Sequence, residues 1–229
     1  MSIDRLKSCY KKATECNSCF ENPELVRGKV KKPQPRWVGE DYFSSDKRIC
    51  ILMINPGDVG PKSKLDQQQS SSEFENLINR FSEGLVSWEE IMFFILSDMP
   101  NWGQGGKYNK LYFDHLKLPL KEIAFLNVML CSARKKDPRG KFQNYYSQHT
   151  MQNCFSNHTR NLLEKLNPNI CILSGTAVWE FARRSNLSSI FTNCKFKSLG
   201  HYAARGEDWN RAVETAHVIS RELHLKSCI

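Results

Sequence analysis

Four stretches of this chain combine side chains that can move protons or place water with small residues that let backbone approach a ligand. They are Asn55-Pro56-Gly57-Asp58, Asn127 to Cys131, Gly175-Thr176 and His201-Tyr202, the last preceded by Gly200. An Asn amide oxygen accepts a hydrogen bond from water but is no strong base; the Asp58 carboxylate is the stronger base beside it. A His ring can donate to a carbonyl on which negative charge grows. Taken one at a time, these stretches also fit ordinary turn chemistry, and Asp58 fits an Asx-turn or helix cap. The nine cysteines form a second set, with Cys16-Asn17-Ser18-Cys19 the most suggestive spacing. Where thiols are kept reduced, clustered cysteines point to a metal or redox site rather than to disulfides.

Each polar stretch follows a short apolar run. Arg48 to Ile54, Ile123 to Leu130 and Ile170 to Leu173 are continuous rather than alternating, as strands buried on both faces are. A weaker fourth strand is expected within Ile190 to Leu199. Between these runs the pattern is helical. Ser72 and Glu75 suggest a capping box opening a helix through Phe74, Leu77, Ile78 and Phe81, behind a polar surface loop at Gln67 to Ser72. Further helices are expected over Trp88 to Leu96, about Asn109 to Leu116, within 147–166, over Thr176 to Arg184 and over Glu207 to Leu225. Strands alternating with helices give a three-layer α/β/α fold around a central four-stranded, mostly parallel sheet. Residues 1–229 read as one domain, with the polar, basic residues 1–48 an N-terminal cysteine-bearing arm packed on it. In open parallel sheets ligands bind beyond the carboxyl ends of the strands. All four polar stretches fall there, and that coincidence marks a site.

Lys and Arg number 33 against 24 Asp and Glu, a net charge of +9. This suits a polyanionic partner, and equally a basic surface that only keeps the protein in solution. Lys29, Lys31, Lys32, Arg134, Lys135, Lys136, Arg139, Lys141 and Arg205 are candidates to meet phosphates. Arg134-Lys135-Lys136, expected as a loop directly after Cys131, is the most concentrated of them. No apolar run approaches the roughly 20 residues that span a bilayer, so no membrane partner is expected. The first residues hold no apolar signal core, so a cytoplasmic address is expected. Walker, strand-following GxGxxG and HExxH patterns are absent from the sequence, which argues against a nucleotide cofactor and zinc proteolysis. A monomer is expected.

Cys16-Asn17-Ser18-Cys19 followed by Arg36-Trp37-Val38-Gly39 resembles the opening of the iron–sulfur uracil-DNA glycosylases, family four of their superfamily. Met53-Ile54-Asn55-Pro56-Gly57 stands where that superfamily carries its first active-site motif. Asn127-Val128-Met129-Leu130-Cys131, then Pro138 and Cys154, is similar to the family's Asn-Val-Val-Lys-Cys segment with its later cysteine. Leu166-Asn167-Pro168 to Ser174-Gly175-Thr176-Ala177 resembles the third strand and following helix, and Gly200-His201 falls where the second motif begins. The resemblance spans residues 9 to 206 and implies a four-stranded parallel sheet between helices. It also implies a 4Fe–4S cluster held by Cys16, Cys19, Cys131 and Cys154, with zinc the alternative that the same thiolates would serve. Cys9 is a possible substitute among the four, Cys50 and Cys171 read as core, and Cys194 and Cys228 receive no role.

The resemblance further implies a monofunctional DNA glycosylase, which turns a nucleotide out of DNA and hydrolyses its N-glycosidic bond. Asn55 would place the water, His201 would donate to the departing base, and Gly57 and Asn127 would contact that base. Trp102 or Tyr108 would stack on it, and Tyr202 or Arg205 would fill the gap it leaves. Two departures stand out. Ile54 occupies the place of family four's Glu, making the motif similar to the mismatch-specific and single-strand-selective branches, and Tyr202 replaces the Pro that follows the motif's His. With a long insert near residues 62–100, these departures suggest a reshaped pocket, for uracil or for a larger modified pyrimidine such as a hypermodified cytosine of phage DNA. The competing classes are a noncatalytic nucleic-acid-binding module of the same fold and a zinc-stabilised α/β enzyme acting on small nucleotides.

Overall fold

The computed structural model of the chain describes residues 3–21, 25–57, 64–102, 106–136, 142–144 and 146–225. Four strands, β2 (Ile49–Met53), β3 (Ile123–Asn127), β6 (Ile170–Ser174) and β7 (Lys195–Leu199), pair in the order β3-β2-β6-β7, and every pairing is parallel. The continuous apolar runs form the middle of this sheet. β2 and β3 are buried along their whole length, because helices cover both faces and leave no side of either strand to water. Cys50 and Cys171, paired in register on β2 and β6, are fully buried core residues.

The helices follow the amphipathic patterns with some shifts. α2 (Lys64–Ser82) begins eight residues before Ser72, so the polar tract Gln67 to Ser72, expected as a loop, is helical. Gln69 Nε2 donates to Glu73 Oε1 one turn on at 3.1 Å, and fully buried Phe74 and Ile78 anchor the apolar face. Ser72 therefore lies inside the helix rather than at its start, and Glu75 accepts the Lys31 backbone N–H at 2.6 Å. The capping box that does form belongs to α3 (Trp88–Asp98), where Ser87 and Glu90 satisfy each other's backbone donors. Residues 107–115 are helical, first as α4 (Lys107–Asn109) and then in π form. Residues 148–166 hold α5 (Gln148–Cys154), a π turn and α6 (Arg160–Leu166), closed by left-handed Asn167 before Pro168. Then come α7 (Thr176–Arg184), the short α8 (Leu187–Ile190) and α9 (Glu207–Leu225). The fourth strand is shorter than expected, because Ile190 closes α8 and pairing starts only at Lys195.

Residues before β2 are built into the core. α1 (Ile3–Thr14) buries Leu6, Tyr10 and Ala13 and packs against α2 and α6. Trp37 accepts the Phe125 N–H at 2.8 Å, and Gly39 donates to Ile123 at 2.9 Å, so this segment flanks β3. No side chain fits at Gly39, since a Cβ there would stand 2.0 Å from the Lys121 carbonyl oxygen. The basic run expected as a loop is a strand: β4 (Ala133–Lys136) pairs antiparallel with β1 (Leu25–Arg27) and β5 (Phe142–Asn144) in a second, three-stranded sheet. Sequence reasoning missed it because Arg134-Lys135-Lys136 carries no apolar alternation. One of its two partner strands, β1, lies over a hundred residues away in the chain.

Candidate active site

The carboxyl ends of β2, β6 and β7 open into a cleft of about 550 Å³. Its walls are Ile54 to Gly57 after β2, Ser174 to Val178 after β6, His201 and Tyr202 after β7, and Tyr146 from the segment ahead of α5. Three of the four polar stretches thus meet at one place, for the topological reason that ends of adjacent parallel strands point the same way.

His201 is held by its backbone surroundings. The Ala203 N–H donates to His201 Nδ1 at 3.1 Å, which assigns the neutral ring's proton to Nε2. Burial lowers the ring's pKa, since a charged imidazolium would lose hydration there. The cleft therefore contains a neutral imidazole with one defined N–H donor. Gly175 makes room for it: its φ is +102°, and a Cβ there would stand 3.2 Å from His201 Cδ2. The same residue precedes α7, so the amino terminus of that nine-residue helix faces the cleft and favours negative charge in it.

Asn55 lines the cleft, and its Nδ2 is buried without a hydrogen-bond partner. Asn127, at the end of β3, is completely buried, and neither its Nδ2 nor its Oδ1 has a partner. It lies behind the cleft wall rather than on it. Gln34 is equally buried; its Nε2 donates to the Gly57 carbonyl at 3.4 Å, and its Oε1 has no partner. Asp58 lies outside the described residues, as do Arg139 and Lys141.

The two rings expected to stack on a base belong to the core. Trp102 is 9% exposed, donates from Nε1 to Asp98 Oδ2 at 2.8 Å, and has the Arg36 guanidinium 4.1 Å over its ring. Tyr108 is 1% exposed and packs edge-on against Trp102, Tyr112 and Tyr202. Both rings pack onto Phe125 of β3, as does Tyr112, and neither lines the cleft. Arg36 is buried beside this cluster, and its pKa is lowered by burial against the opposing pull of Tyr108 and Tyr202. Tyr202 lines the cleft, 4.3 Å from the His201 ring. Arg205 is exposed in the following turn. Arg134 and Lys135 are half-buried on β4, apart from the cleft wall.

Cys16, Cys19, Cys131 and Cys154 line a second, small cavity together with His158. Arg27 of β1 brings a positive charge to it, with Nη1 3.9 Å from Cys131 Sγ and Nη2 bonded to Asn17 Oδ1. The Leu130 N–H reaches Cys154 Sγ at 3.3 Å, and Asn153 Nδ2 reaches Cys19 Sγ at 3.8 Å. The thiols differ in acidity. A hydrogen bond with His158 brings Cys16 down to about 7. Burial, reinforced by neighbouring Cys19, pushes Cys154 up to about 12 and, reinforced by Cys154, raises Cys131 further. Four thiols with a guanidinium beside them are a donor set suited to a thiophilic metal centre. Among the described residues, however, no three His, Cys, Asp or Glu side chains stand close enough to hold a single metal ion, and the cavity has only about 10 Å³ of room.

Sequence reasoning missed Tyr146, Gln34 and His158. Tyr146 had a faint signal, an aromatic just before a Ser-x-x-Thr helix start. The others had none, because their importance lies only in what surrounds them.

The chain is similar to a solved structure of wild-type SMUG2 from Pedobacter heparinus, with 14% sequence identity over 98% of this chain and 97% of that one and a TM-score of 0.49. No protein-family model matches the chain, and no curated protein matches it significantly.

Proposed function

We propose that this protein is a monofunctional DNA glycosylase that hydrolyses the N-glycosidic bond of an extruded pyrimidine and leaves an abasic site. The observation that carries this reading is the meeting of Asn55 and a neutral, Nε2-protonated His201 in one cleft. Hydrolysis of such a bond builds positive charge on the sugar and negative charge on the leaving base. Asn55 accepts a hydrogen bond from the attacking water and orients it. His201 donates from Nε2 to a base carbonyl as that oxygen gains charge, and the α7 amino terminus adds to the stabilisation. Gly57 is the group we assign to backbone contact with the base; Asn127, buried and off the cleft wall, is assigned no direct contact with it. No lysine lines the cleft among the described residues, and we assign no Schiff-base lyase step.

The finer substrate reading is a modified pyrimidine rather than uracil alone. The cleft, at about 550 Å³, is within the size range of pockets for drug-sized ligands and larger than a bare pyrimidine needs. A hypermodified cytosine of phage DNA is the occupant we propose for it, which would make the enzyme a defence factor. The basic strand β4 and exposed Arg205 are assigned to phosphates. Cys16, Cys19, Cys131 and Cys154 would hold a 4Fe–4S cluster, which would supply a clamp joining the amino-terminal segment to residues 131–154. The thiol-only donor set supports this assignment, and iron, sulfide and zinc analysis of anaerobically purified protein separates it from a zinc centre.

The direct test is a panel of single-base substrates, uracil and glucosylated hydroxymethylcytosine included, scored by alkaline strand scission. Cleavage of at least one substrate, lost by a factor of about 10² or more in Asn55→Ala, is the expected outcome. Binding of DNA without scission of any substrate would instead identify a noncatalytic module, a reading that Ile54 in place of the usual Glu also allows.

A further inference from the structure

We propose that Tyr146 is the aromatic platform on which the nucleobase stacks in the cleft, an inference that rests on the occupant being a nucleobase. Trp102 and Tyr108 are sealed in the core, and Tyr202 is already packed against His201, Tyr108 and Tyr112. Tyr146 is different: it lines the cleft and is 43% exposed. The other exposed large apolar side chains of the described residues, Phe93 and Trp179 among them, line no part of it.

The position of Tyr146 is fixed by the residues that follow. Ser147 is the N-cap of α5; its Oγ accepts the Thr150 N–H at 3.1 Å, while the Ser147 N–H donates to Thr150 Oγ1 at 2.9 Å. A hydrophobic residue just before such a cap usually folds back on the fourth helical residue. Here that residue, Met151, is buried while the Tyr146 ring stays open at the cleft. The cap fixes the backbone on the carboxyl side of Tyr146, which lowers the ordering cost of binding there. Every base has a π-face, so a tyrosine platform tolerates substituents at the pyrimidine edge that a tight, enclosed slot would exclude.

The test uses the full chain with single-stranded oligonucleotides that carry one pyrrolocytosine, whose fluorescence falls when the base stacks. Wild type and Tyr146→Phe are expected to bind alike and quench the probe. Tyr146→Ala is expected to bind it about 10- to 100-fold more weakly and to lose the quench, the range corresponding to one base–aromatic stack. Melting midpoints confirm that each variant is folded. The proposal is overturned if Tyr146→Ala binds and quenches like wild type, if wild type does not quench, or if Tyr146→Phe fails like the alanine variant, which would make the hydroxyl the important group. Tyr146-dependent quenching in a protein that excises no base would support the platform and sink hydrolysis. Excision with quenching independent of Tyr146 would do the reverse.

Discussion

At the scale of single residues, the decisive detail is which nitrogen of His201 carries the proton. Because Nδ1 accepts the Ala203 N–H, a second proton there would set donor against donor. Burial opposes that proton as well and holds the folded pKa below the ordinary value of about 6.5. The sign follows: the unfolded chain takes up the proton first, so the stability contributed by neutral His201 is present above about pH 6.5 and is lost as pH falls through the folded value. Excision is therefore expected to be flat through neutrality with an acid limb below it. Pairing pH–rate profiles of wild type and His201→Gln checks this, since glutamine keeps a donor and removes the titration; an unchanged acid limb would assign the limb elsewhere. Asn127 shows the opposite situation, a buried amide with no internal partner. Such a group costs stability on the order of 1–3 kcal/mol unless a ligand or water completes it, which is consistent with a site shaped for something other than itself.

At the scale of elements, the β6–α7 junction determines how the site is assembled. Gly175 donates to the Leu199 carbonyl at 2.8 Å, tying the end of β6 to the end of β7, and its positive φ turns the chain into α7. Gly175→Ala is expected to cost about 1–3 kcal/mol from backbone strain and to displace the His201 ring it would touch. Thermal unfolding should show the first effect and a fall in excision rate beyond that of a remote mutant of equal stability the second. The helices and central strands were readable because their apolar periodicity is local. Gln67 to Ser72 misled because polar residues on the exposed side of an amphipathic helix look like a loop until Phe74 and Ile78 are seen buried. The small β1-β4-β5 sheet was unreadable because backbone pairing between residues 25–27 and 133–135 leaves no trace in side-chain pattern.

At the scale of the whole molecule, distant segments are drawn together around two centres, the cleft and the thiol cavity. Residues 131–154 join them: Cys131 and Cys154 reach the cavity, while Tyr146 between them reaches the cleft. If the thiols hold a cluster, Cys131→Ser should lower iron content, reduce the melting midpoint by several degrees and weaken DNA binding together, because metal-binding free energy is also folding free energy. Metal analysis, melting and binding titrations on one preparation check this; unchanged melting after complete metal loss would remove the structural role. Among the described residues no helix is long and apolar enough to cross a membrane.

The amino-acid sequence alone determined the four strands of the central sheet, most helices and the position of the polar stretches at strand ends, because hydrophobic period and turn residues act over a few positions of chain. It also pointed to Asn55, His201 and the four cysteines. Only the tertiary structure decided that Trp102 and Tyr108 are core, that Tyr146 stands at the cleft, that Asn127 and Gln34 lie buried with unpartnered amide atoms, and which His201 nitrogen bears hydrogen. Those properties arise from packing between segments far apart in the chain, and burial and hydrogen-bond pairing have no local code.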